Sequence, residues 1–133
     1  MTTDSILGGS ELIAFAPTTN PAKARAFYEG VLGLHLVADE APFALVFDAN
    51  GTMLRITTVR EHQPDPFTVL GWRVEDVVAT VERLVSVGVV FERYKGVNDN
   101  DPHAIWKAPS GARIAWFKDP DGNVLSLTEF PRN

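Results

Sequence analysis

The stretch that decides the fold is Asn20-Pro21-Ala22-Lys23-Ala24-Arg25-Ala26-Phe27-Tyr28-Glu29-Gly30-Val31-Leu32-Gly33. Asn20 offers a side-chain oxygen to the free N–H groups of a helix start, and Pro21 suits the first helical position because its missing N–H would be unpaired there anyway. Ala24, Phe27, Tyr28 and Val31 follow the i, i+3, i+4, i+7 spacing of one apolar helix face. Gly33 stands where a left-handed residue closes the helix. The apolar run at residues 11–16, ended by Pro17-Thr18-Thr19, reads as a strand before the helix. Residues 34–37, 43–47 and 52–59 read as three strands after it. Asn50-Gly51 joins the last two, and both positions of such a hairpin turn need positive φ. The order is β-α-β-β-β.

The same order returns after a proline-marked stretch at residues 61–66. Residues 67–74 read as a strand. Asp76 caps a helix with apolar positions Val77, Val78, Val81, Leu84 and Val85, which Gly88 closes. Residues 89–94, 112–117 and 124–130 supply three strands, with a short extra segment at 104–107 and a turn at Asp121-Gly122. The two caps, Asn20 and Asp76, lie 56 residues apart, and Gly33 and Gly88 lie 55 apart, so the chain is a tandem repeat. Its spacing is too sparse for an α-solenoid and its strands too unequal for a propeller.

Composition narrows the function. Twelve Lys and Arg against 17 Asp and Glu give a formal charge of −5, with no basic run, so nothing marks a nucleic-acid or anionic-membrane surface. Apolar residues at 45% and charged residues at 22% are ordinary globular usage across 133 residues. No apolar run reaches the roughly 18 residues that cross a bilayer, and Met1-Thr2-Thr3-Asp4-Ser5 lacks the basic and apolar regions of a signal peptide. Cysteine is absent, which removes disulfides, thiolate metal sites and Cys nucleophiles and suits a cytoplasmic location.

Two segments carry a family resemblance: Ala26-Phe27-Tyr28-Glu29-Gly30-Val31-Leu32-Gly33-Leu34, and Phe117-Lys118-Asp119-Pro120-Asp121-Gly122-Asn123-Val124-Leu125. The chain resembles the vicinal oxygen chelate superfamily, which groups glyoxalase I, bleomycin resistance proteins and extradiol dioxygenases. The resemblance implies an α+β fold of tandem βαβββ modules whose paired curved sheets surround a cavity, with helices outside. It implies one domain over residues 1–133, with modules at about 10–60 and 67–130. Metal-dependent members use His, Glu or Gln on the first and last strands of each module. Those positions fall here on Leu12 or Glu11, on Arg55, on Val69 and on Ser126. Valine has no donor atom, arginine is a permanent cation and serine a weak neutral oxygen, so no divalent metal or other cofactor is expected.

Strand alternation sorts the other side chains. Met53 and Thr57 face the cavity with Arg55; Gly71 and Arg73 with Val69; Val124 and Thr128 with Ser126. Leu54, Ile56, Leu70, Trp72, Leu125 and Leu127 turn to the helices, the more apolar set on every strand. Arg55 and Arg73 are candidate anchors for a carboxylate, phosphate or polarised oxygen, or they pair with Glu11 or Glu75. Trp106 and Trp116 are candidate ligand platforms, while Trp72, Phe43 and Phe47 read as core. His35, His62 and His103 share no ligand spacing. Asn98-Asp99-Asn100-Asp101 lacks the turn glycine and distal Glu of a calcium loop and reads as a solvated turn. The leading expectation is a bleomycin-resistance-like homodimer that binds a small polar or anionic metabolite or antibiotic without metal. The alternative is a lyase, isomerase or dioxygenase with Glu11 as base or an unrecognised metal site.

Overall fold

A computed structural model describes residues 5–132, so most of the N-terminal segment read above for a leader lies outside the described residues. Strands β1 (Ile13–Thr18), β2 (His35–Glu40), β3 (Ala44–Ala49) and β4 (Thr52–Thr58) form one sheet in the order β1-β4-β3-β2, with β1 parallel to β4 and the other pairs antiparallel. Strands β5 (Thr68–Arg73), β6 (Trp106–Lys107), β7 (Arg113–Lys118) and β8 (Val124–Glu129) repeat the plan as β5-β8-β7-β6, with β5 parallel to β8. The fold is α+β: two paired, curved, four-stranded sheets and no closed barrel.

The helices begin where the sequence says. Asn20 Oδ1 accepts from Lys23 N–H at 3.1 Å at the start of α1 (Pro21–Arg25), and Asp76 Oδ1 accepts from Ala79 N–H at 3.0 Å at the start of α2 (Val77–Ser86). Helix α1 continues through a wider turn, Ala26–Val31, in which Leu32 N–H reaches back to Phe27 C=O. Asn50 and Gly51 both take positive φ at the β3–β4 hairpin.

Two expectations give way. The strand expected at residues 89–94 reduces to a single bridge between Phe91 and Phe117. Glu92 N–H bonds Trp116 C=O, and the chain then leaves the sheet for a loop built around two side chains. Buried Asn98 donates to Glu92 C=O and Ala104 C=O, while the Arg93 guanidinium lies among backbone carbonyls, with Asp101 C=O at 2.6 Å. An arginine thus supplies the positive charge in the loop that carries the acidic run. The extra segment becomes the edge strand β6. Phe43, read as core, is 75% exposed because it precedes β3, whereas Phe47 is fully buried.

Each sheet carries its helix on one face. Leu54, Ile56, Leu125 and Leu127 lie on those faces, and a single apolar core runs through both halves of the chain. Helix α1 joins them: the Tyr28 ring is 6.0 Å from Phe47 in its own half, and Phe27 is 6.3 Å from Phe117 in the other. The β7–β8 turn adds a polar joint. Asp119 accepts from the Tyr28 hydroxyl at 2.6 Å, and Asp121 accepts from the Thr18 hydroxyl, the Thr19 N–H and the Thr19 hydroxyl. No helix among the described residues is long and apolar enough to cross a membrane.

The joint has a pH signature. Burial alone would raise the Asp121 carboxyl, but the three bonds from Thr18 and Thr19 hold it below its ordinary value. A carboxyl depressed in the folded state contributes stability above its unfolded pKa of about 3.9, and that contribution is lost as pH falls through the lower folded value. Asp121→Ala is therefore expected to cost about 2 kcal/mol at pH 7, leaving the fully buried Thr18 hydroxyl without its acceptor, and to flatten the stability profile below about pH 4. Denaturant melts across pH check both effects.

Candidate ligand-binding site

The faces turned away from the helices are open. On the first sheet, Ile13 and Phe15 of β1 stand level with Met53 and Arg55 of β4. Phe15 remains 59% exposed, and Ile13 and Met53 are exposed with it. Arg55 does not meet Glu11 or Glu75. Its guanidinium binds Glu40 at 2.8 Å along the same face. Thr57 pairs in register with Pro17. Glu11 and Leu12 precede β1, and Glu11 lines a hollow with Ile13, Asp48 and Met53 that includes no residue of the second sheet.

On the second sheet the centre is a row of three residues, Gly71-Ser126-Trp116, set by the registers of β5, β8 and β7. Ser126 is 7% exposed as a whole residue. A Cβ at Gly71 would come within 2.8 Å of that hydroxyl, so glycine is what leaves the space above it. The next row holds Arg73, Thr128, Ile114 and Trp106. The Trp106 and Trp116 rings stack with centroids 6.1 Å apart and planes 28° from parallel, and Tyr94 meets Trp116 edge-on at 5.5 Å. Both tryptophans are half-buried, and Val69 is exposed at the start of the face. The Arg73 guanidinium lies 5.2 Å from the Phe130 ring and has no carboxylate partner among the described residues.

The registers also compare the halves. Phe15 stands opposite Arg55 as Gly71 stands opposite Ser126, so the first-half counterpart of Val69 is Ile13. Ile13, Arg55, Val69 and Ser126 do not form a donor set for a divalent ion. Among the described residues no three His, Cys, Asp or Glu side chains cluster as metal ligands. His62 instead bonds Asn123 at 2.7 Å, and His103 lies 3.3 Å from Glu82. Phe15, Tyr94 and Phe130 were missed by sequence reasoning; only the register of β1, the fold of the 93–105 loop and the end of β8 bring them to the open faces.

This architecture, a duplicated βαβββ unit with open curved sheets, defines a class of small α+β proteins. The family model of the glyoxalase/bleomycin resistance protein/dioxygenase superfamily matches residues 12–127, and the chain belongs to that superfamily. An integron cassette protein from the mobile metagenome of a Halifax Harbour sewage outfall is similar in structure, with 23% identity, 92% of this chain and 99% of that chain covered, and a TM-score of 0.67. Lactoylglutathione lyase from Agrobacterium tumefaciens is similar at 19% identity, with 92% and 95% covered and a TM-score of 0.67. TioX from Micromonospora sp. ML1 is similar at 18% identity, with 92% and 100% covered and a TM-score of 0.68. At these identities the likeness is one of fold. No curated protein matches the chain.

Proposed function

We propose that this protein binds a small polar or anionic metabolite or antibiotic on the open face of its second sheet, without a metal ion. The observation that carries the reading is the Ser126 hydroxyl, set beside Trp116 at the foot of the Trp106–Trp116 stack, with no side chain opposite at Gly71. A ligand with a flat ring lies against the tryptophans, exchanges a hydrogen bond with Ser126 and places an acidic or oxygen-rich group toward Arg73, with Thr128 beside it. Arg55, engaged by Glu40, serves the opposite wall. Exposed Ile13, Phe15, Met53 and Val69 make each open face too apolar to remain in water. A second copy of the chain roofs them, so the working form is a homodimer, and an enclosed pocket with few polar groups suits ligand binding. A cytoplasmic location accords with the lack of cysteine.

The test is a thermal melt of metal-stripped protein against carboxylates, phosphates and flat antibiotics, with Zn, Ni, Mn, Fe(II) and Mg run separately. A ligand at 100 times its Kd adds about 2.7 kcal/mol, a shift of several degrees. A saturable shift with an organic compound that Trp116→Ala weakens at least about tenfold supports the reading. A saturable shift with one metal ion, and none with any compound, overturns it.

A further inference from the structure

A second cavity lies on the other side of the molecule, between the end of the first helix and one flank of α2. It measures about 420 Å³, within the range of small-molecule pockets. Leu34, Trp72, Leu84, Phe117 and Leu127 give it an apolar lining from both halves of the chain, and several of these are half-buried, so the surface is accessible. Its only charged lining residues are Arg73 and Arg83. In a chain of net charge −5 that is a reversal: each of the other four cavities described has at least one carboxylate residue in its lining. Arg83 has no carboxylate partner among the described residues. The polar side chains beside it are already used, since the Thr80 hydroxyl donates to Asp76 C=O and the Ser86 hydroxyl to Arg83 C=O.

We infer that this cavity, on the helix side of the second sheet and sharing only Arg73 at its edge with the open-face site, is a second ligand site that takes an amphipathic carboxylate with its apolar tail between the helices and its head group on Arg83. Charge selects the occupant. An acidic head gains a guanidinium that nothing else neutralises, while a cationic or neutral head of the same shape gains nothing there. Tail burial supplies the remainder of the affinity at about 0.8 kcal/mol per methylene.

Sodium decanoate and the neutral decanol serve as probes, titrated calorimetrically into the full chain at fixed ionic strength. The expected result is one saturable decanoate site per chain, with decanol and the exposed-helix variant Arg83→Gln each weaker by at least about tenfold. Trp116→Ala leaves decanoate affinity within about twofold, because that ring belongs to the other face. Absence of saturable binding below about 1 mM overturns the inference. So does equal binding of decanoate and decanol, which marks apolar partition. Loss of binding in Trp116→Ala places the probe on the open face. Sedimentation of the titrated samples provides the last check: conversion of dimer to monomer by decanoate assigns the cavity to a second copy of the chain and also overturns the inference.

Discussion

Asp119→Ala is expected to destabilise the folded chain by about 3–5 kcal/mol, among the largest effects of any single polar substitution here. Asp119 is 6% exposed and accepts four hydrogen bonds: from the Tyr28 hydroxyl at 2.6 Å, from Asn123 Nδ2 at 2.8 Å, and from the N–H groups of Asp121 and Asn123 at 2.9 Å. Alanine leaves all four donors facing an apolar methyl. The Tyr28 phenol suffers most, because it is buried without exposure to water. Burial first, and the Asp119 charge second, push its pKa far above the usual tyrosine value, so it stays a donor at every pH the fold survives. The damage spreads across the molecule because the Tyr28 bond links α1 of the first half to the β7–β8 turn of the second. Urea melts with a retained slope and a lower midpoint are the expected observation. A loss below about 1 kcal/mol would show that the turn is held by other contacts.

Phe15→Asp is expected to act on assembly instead of folding. The ring is on the face without a helix, so the charge removes no core contact and the melt of the isolated chain stays within about 0.5 kcal/mol. On the proposed dimer, the same carboxylate is driven against an apolar partner surface. The expected weakening is at least about 100-fold, equivalent to about 2.7 kcal/mol. Sedimentation equilibrium should find the unmodified chain dimeric at micromolar concentration and the variant monomeric. A monomer of unmodified chain at about 100 µM would contradict the homodimer.

The fold was legible wherever local chemistry acts alone. Asn20, Asp76, Gly33, Gly88 and Asn50-Gly51 report backbone needs that do not depend on distant residues, and the structure places a cap, a helix end or a turn at each. Alternation sorted Leu54 from Arg55 and Leu127 from Ser126 because only the helix-side face of each strand contributes to the apolar core. The 89–94 segment failed because its apolar, β-branched run signals extension equally well in a ladder and in a loop. What diverts it is Asn98 and Arg93 satisfying backbone groups several residues away. The site was legible in part. Ser126 follows from the family resemblance and Trp106 from its place on a short extra segment, while alternation leaves Trp116 and Phe117 as alternatives; none of these gives the partner of Arg55. Glu40 lies 15 residues earlier and reaches Arg55 only through the β2 and β3 pairings, a long-range fact that no local pattern encodes. Glu11 looked like a member of β1, yet the strand starts two residues later, and a strand start is the feature least constrained by periodicity.

The proposed site is the open face of the second sheet, where the tryptophan stack binds the ligand without metal. Its most direct test is an intrinsic-fluorescence titration of EDTA-treated protein with the strongest compound from the melting screen, run on the unmodified chain and on Trp116→Ala. Saturable quenching in EDTA, weakened at least about tenfold by the substitution, is the predicted result. Quenching that appears only when a divalent ion is restored, or that is unchanged in Trp116→Ala, would rule that site out.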